Sequence, residues 1–192
     1  MTYQFIKQPL VSGLYEPEGI YLSSPFPHPQ RLVQRWGEAA SFYGQYRYNG
    51  VPLKGHPGVD FAVAGGLALL AVDDGRVTEI SYEAEGLGRY LKLEHRWGES
   101  LYALLGEIVV EAGQRVPCGQ LLAHAAESES EAHVLFHFAI RIQPYNRFDG
   151  WGGFTDPLPF LDPAAVDTLD EEPVVLDVLH PMAVEEPGMR RP

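Results

Sequence analysis

Two histidines and an aspartate in this chain are of the types that hold a divalent cation. His56 and Asp60 close the segment His56-Pro57-Gly58-Val59-Asp60, and His137 stands alone far downstream. Two imidazoles and one carboxylate form a donor set that zinc favours, at about 2.0–2.2 Å in tetrahedral array, with the fourth position open where the site does chemistry. A metal so held polarises a carbonyl and acidifies a bound water, which is the chemistry of hydrolysis. A lone histidine is more often structural than a ligand, and the H-x-G-x-D segment alone is a modest signal. At this level both interpretations stand.

The elements must bring these residues together. In an extended strand, His56 and Asp60 would lie about 13 Å apart, too far for one ion to bridge. They converge only if the chain folds back between them, and Gly58 is the residue expected to permit it. His137 has a readable parity. Phe136, Phe138, Ile140 and Ile142 point to one face, the core, while Leu135, His137, Ala139 and Arg141 point to the other. His137 therefore projects toward a groove.

Short apolar runs at 59–63, 68–72, 75–82, 89–95, 99–105, 108–110, 120–123 and 135–142 read as strands. Glycine turns divide them, among them Asp73-Asp74-Gly75 and Glu111-Ala112-Gly113-Gln114. No stretch sustains a helical period. The expected fold is all-β, an antiparallel sheet with glycine-rich hairpin turns and a surface groove. The segment 30–48, with Tyr43, Tyr46 and Tyr48, is expected to pack beside or across that groove.

Composition narrows the partners. Apolar residues make up 45% of 192, enough for a real core. A net charge of −12 excludes nucleic acid, which needs a basic face, and argues against an anionic membrane surface. Cys118 is the one cysteine, so no intramolecular disulfide forms. The first residues hold no apolar run suited to a signal peptide or membrane span, so at face value the chain is cytoplasmic. From Pro163 on, seven acidic residues face only Arg190 and Arg191. The expected organisation is an extension (1–29), a β domain (30–162) and a mostly disordered acidic tail (163–192), with 174–179 a short docking strand.

In order and spacing, QRWGEAASFY, NGVPLKGHPGVDFAVAGG, LLAVDDGRV, GLGRYLKLEH, VVEAGQRVPCGQLL, FHFAIRI and GGFTDPLPFL resemble the M23 peptidases. These are the bacterial lysostaphin- and LytM-type zinc endopeptidases that cut peptide cross-bridges of peptidoglycan. The resemblance spans roughly 30–162. It implies a LytM-type fold and one Zn2+ ion held by His56, Asp60 and His137.

It also exposes two losses. Where the family reads Tyr-x-His-Leu, this chain reads Tyr102-Ala103-Leu104-Leu105, and where the family reads His-x-His, the first histidine is Leu135. The glycine-rich loop expected before that strand has become AAESESEAHV. Leucine neither moves a proton nor stabilises a tetrahedral intermediate, and each such group is typically worth about 10²–10⁴ in rate. Tyr102 is the best substitute, as a donor to an oxyanion. His133, His95, Glu99, His124 and the run Glu127, Glu129, Glu131 are more simply packed or solvated.

Three functions follow. The first is a degenerate M23-type metallopeptidase-like module whose groove binds a peptide, a peptidoglycan fragment or a cell-wall enzyme. The second is an active zinc metalloendopeptidase of peptidoglycan cross-bridges that uses replacement residues. A biotinyl or lipoyl carrier, suggested by the hairpins around 109–121, needs a lysine at a hairpin tip, and Lys7, Lys54 and Lys92 have no such setting.

Overall fold

The computed structural model describes residues 5–9, 15–84, 86–128 and 133–167, the first of these and 15–18 by backbone alone. The strands among them are β1 (Phe5–Pro9), β2 (Tyr15–Gly19), β3 (Gln30–Gln34), β4 (Arg47–Tyr48), β5 (Val51–Pro52), β6 (Val59–Ala64) and β7 (Ala68–Leu70). There follow β8 (Gly75–Glu83), β9 (Gly88–His95), β10 (Gly98–Ile108), β11 (Arg115–Val116), β12 (Leu121–Ala125), β13 (His133–Ile142) and β14 (Val166–Asp167). One helical turn, α1 (Ala40–Tyr43), lies between β3 and β4.

The main sheet runs β11-β8-β9-β10-β13-β6-β3-β14, with β12 pairing both β10 and β7. Neighbours along it are antiparallel except β14, which pairs in parallel with β3. The fold is nearly all-β, as the glycine-punctuated apolar runs imply. No helix among the described residues is long and apolar enough to cross a membrane.

Period-two alternation builds two apolar layers. On one face Phe136, Phe138 and Ile140 of β13 pack with Phe61, Leu91, Leu93 and Tyr102 in the main core. Each fully buried side chain of this size stabilises by about 1.5–3 kcal/mol. Phe26 meets Phe61 and Phe136 edge-on at 5.0 and 5.5 Å, an arrangement that ring quadrupoles favour. On the other face the small residues Ala103 and Ala139 let a second layer approach, made of Tyr43, Tyr46, Tyr48, Leu53, Leu87, Tyr90 and Phe154. The tyrosine-rich segment thus lies across the sheet on the His137 side.

The packed unit extends beyond the limits of 30 and 162. Ile20, Leu22 and Phe26 belong to the core, as do Phe160, Leu161 and Ala165. Leu22 N–H donates to Phe160 O, and Asp162 N–H donates to Leu22 O, both at 2.8 Å. The two-residue strands β4, β5, β11 and β14 are too short for a period to be read, β3 is a five-residue strand not marked in the sequence, and of the run 108–110 only Ile108 is in a strand, as the last residue of β10. The acidic segment from 168, with its docking strand, and Glu129 and Glu131 lie outside the described residues.

Candidate metal centre

Register brings the first two residues of the cluster together. Asp60 on β6 is directly opposite His137 on β13, so their side chains share one face. Val59, Phe61 and Val63 alternate with Asp60 and enter the core, which turns the carboxylate outward. His56 precedes β6, on the loop that joins it to β5. Backbone contacts bind that loop to the chain after β3, with Gly37 N–H donating to His56 O at 3.0 Å and His56 N–H to Glu38 O at 2.9 Å. A Cβ on Gly55 would lie 2.4 Å from Gly37 O, so two backbones cross here with no room for a side chain.

Gly58 acts differently from the expected fold-back. Its φ is not in the left-handed region. What it supplies is space: an added Cβ would lie 2.5 Å from His137 Cε1 and 2.8 Å from Nε2. The imidazole of His137 rests on the bare backbone of the H-x-G-x-D segment.

The three donor atoms converge. His56 Nε2 lies 3.2 Å from His137 Nδ1 and 3.3 Å from Asp60 Oδ1, and His137 Nδ1 lies 2.7 Å from Asp60 Oδ1. Tetrahedral ligands about 2.0–2.2 Å from zinc would be about 3.3–3.6 Å apart. Two edges match, and the third, at 2.7 Å, is a hydrogen bond that must open by about 0.6–0.9 Å. The residues therefore fit a small divalent ion, and these three form a metal-competent group among the described residues.

The surroundings orient the donors. His56 Nδ1 lies 3.3 Å from Arg35 O, which assigns the proton to Nδ1 and leaves the Nε2 lone pair facing the cluster. His137 Nε2 is buried without a partner, so the ring's polar bonding passes through Nδ1. Burial alone would raise the Asp60 carboxyl, but the His56 and His137 imidazoles hold it below the usual carboxylate range. Burial pushes His137 down against the opposing pull of Asp60. An ionised carboxylate beside a neutral imidazole is the protonation state that metal binding requires.

The cluster is enclosed. His56 and His137 are 0% exposed and Asp60 5%. Tyr43, from the tyrosine-rich segment expected to pack on this side, places its ring 5.2 Å from the His56 ring, and burial followed by the Asp60 charge raises its phenol, which stays protonated. The periodicity of 30–48 offered no signal for it, because α1 is a single turn. Trp36 and Trp151 stack at 4.4 Å and tie this segment to the chain after β13.

The other sequence candidates are dispersed. Tyr102 is not beside the metal ligands: it pairs in register with Phe138 on the core face, and its hydroxyl accepts from Val72 N–H at 3.0 Å. It cannot reach across the sheet to an oxyanion. Glu99 is not simply solvated but accepts from the buried Arg141 at 2.8 Å. His95 bonds Asp74 O and Ser100 Oγ, and His124 lies 3.9 Å from Glu107. His133 is exposed at the start of β13.

Leu135 lies two residues before His137 on the same face of β13, and both it and Leu104 are half-buried. Leu104 follows Ala103, the register partner of His137, at a bulge in β10. Its φ of 61° is left-handed, rare for a leucine and costly.

Comparison with known proteins gives these residues a context. Residues 54–148 match the profile described as Peptidase family M23. Over 113 residues the chain is 32% identical to an uncharacterized metalloprotease of Haemophilus influenzae, covering 57% of this chain and 24% of that protein. A putative peptidase M23 from Pseudomonas aeruginosa superimposes with a TM-score of 0.52 at 22% identity, over 77% of this chain and 52% of that one. The antimicrobial peptidase lysostaphin from Staphylococcus simulans gives 0.53 at 20% identity, over 77% and 60%. The chain thus spans about a quarter of its curated relative and between half and two thirds of these solved chains. At such identities the two structures establish the fold.

Proposed function

Through residues 54–148 this chain belongs to peptidase family M23, and we propose that it holds one zinc ion at His56, Asp60 and His137 while cleaving peptide bonds weakly or not at all. The domain then serves as a binding or regulatory module for a peptide, a peptidoglycan fragment or a cell-wall enzyme. One observation carries this proposal: a metal-competent cluster that is fully enclosed has two leucines where the family resemblance calls for histidines.

The bound ion would supply Lewis acidity and an acidified water. Everything else hydrolysis needs falls to the protein, and Leu104 and Leu135 neither donate nor accept a proton. Losing both groups removes about 10²–10⁴ in rate for each. With three protein donors the fourth position stays open to water, and metal binding to so buried a set would also contribute folding energy.

An active endopeptidase with replacement residues is the competing proposal. Its specific support is Tyr43, a protonated phenol held close to His56 and Asp60. Zinc content measured on the purified protein, together with hydrolysis of peptidoglycan and glycine-rich peptides in added zinc, separates the two. Bound zinc without turnover is the expected result. Turnover that His56→Ala abolishes would overturn the degenerate-site proposal.

A further inference from the structure

Away from the metal cluster, a cleft of about 580 Å³ opens where β8, β11 and the β9–β10 hairpin meet. It lies at the far side of β9 and β10 from the pairing of β13 with β6 that holds the metal ligands. Arg76, Arg96 and Arg115 line it, together with Asp74, Glu94 and the buried ring of His95. A chain with a net charge of −12 has gathered three guanidinium groups, from three separate segments, around one opening.

The register makes the clustering pointed. Arg115 is directly opposite Arg76 on the neighbouring strand, and Arg76 is directly opposite Glu94 on its other side. Like charges at directly opposed positions destabilise a sheet unless an anion lies between them. The acidic groups present do not fill that role completely. Asp74, whose Oδ1 accepts the Cys118 N–H at 2.8 Å, and Glu94, opposite Arg76, bring two carboxylates against three guanidinium groups. Arg76 uses Nε on Gly113 O at 3.2 Å, which fixes its stem at the edge of the cleft it lines. Among the described residues the Arg115 guanidinium has no hydrogen-bond or ion-pair partner. His95 adds no charge, because burial lowers its pKa and both its nitrogens are engaged.

From this convergence we infer that the cleft binds a phosphate group carried by a small molecule. Guanidinium forks match the oxygens of phosphate and carboxylate alike. Guanidinium groups on three separate segments line the one opening, and a phosphate, with oxygens in a tetrahedral spread, can meet donors from separate segments where the two coplanar oxygens of a carboxylate serve fewer. The volume lies within the range of small-molecule sites. The inference is independent of the zinc site and goes beyond the proposed function.

The test is calorimetric titration of the intact chain with inorganic phosphate and with glycerol 3-phosphate, at constant ionic strength. Saturable binding to one site is expected, weakening as salt rises. Arg115→Ala and Arg96→Ala, both at exposed positions, should each weaken it about tenfold or more, and Arg115→Lys should fall between. Arg147→Ala, elsewhere on the surface, should leave it unchanged. No saturable binding, equal binding of acetate, or affinity unmoved by both alanine variants would each overturn the inference.

Discussion

Gly58→Ala isolates the contact on which the candidate metal centre rests. The added methyl would lie 2.5 Å from His137 Cε1, 2.7 Å from Phe138 O and 2.8 Å from His137 Nε2. Carbon atoms make optimal contact at about 3.5–4.0 Å, so the shortfall is about 1 Å. Phe138 is pinned opposite Val59 in the β13–β6 ladder, so either the strands part or the imidazole tips. Metal ligands tolerate about 0.2 Å of error, and a tipped ring exceeds that. Overpacking of this kind costs about 1–3 kcal/mol of stability, and the share of it that falls on the tipped ring is lost from zinc affinity, up to roughly 150-fold. Competition with a chromophoric chelator measures the affinity, and urea denaturation of the metal-free protein measures the stability. In a His137→Ala background the ring overlap disappears while that with Phe138 O remains, so the stability cost of Gly58→Ala should shrink. Unchanged zinc affinity in Gly58→Ala, or the same stability cost in both backgrounds, would refute the steric reasoning.

Three further outcomes are expected. The double variant Leu104→His with Leu135→His should gain hydrolysis of peptidoglycan. The left-handed φ at 104 suits histidine better than leucine, so thermal denaturation should show no loss from that substitution; an inactive, well-folded variant would mean the groove itself has been remodelled. His95 stays neutral in the folded state because burial lowers its pKa below the ordinary 6.5. Below pH 6.5 the unfolded chain therefore binds the extra proton, and stability falls by up to about 1.4 kcal/mol per pH unit. His95→Gln should flatten that part of the pH–stability curve, and an identical slope would count against it. Arg141→Met should destabilise by about 3 kcal/mol in urea, because it strands Glu99, Tyr48 Oη and Gly152 O together. A loss below 1 kcal/mol would mean that these partners rehydrate freely.

The fold was legible wherever alternation ran long enough. β8, β9, β10 and β13 each span eight or more residues, and their periods and glycine turns mark them in the chain. β4, β5, β11 and β14 have two residues each, which carry no period at all. The parity of β13 correctly separated Phe136 and Phe138 from His137, because strand geometry is local. Tyr102 shows the limit of that approach. Its position beside Ala103 and Leu104 made it a candidate, yet strict alternation sends it to the core, where its hydroxyl serves Val72. Arg141 had the parity of the groove, but nothing local indicated that Tyr48 and Phe154 would enclose it, with the Phe154 ring centroid 3.9 Å from its guanidinium.

The chain alone specified the types of the three donors, the face from which His137 projects and the two leucines near it, since these depend on composition and on periods of a few residues. Only the packed structure decided that Asp60 stands opposite His137, that Gly58 makes room for a ring rather than a turn, and that Tyr43 covers His56. Each of these is set by contacts between segments far apart in sequence. Strand register and interlayer packing place them, and no local pattern encodes either.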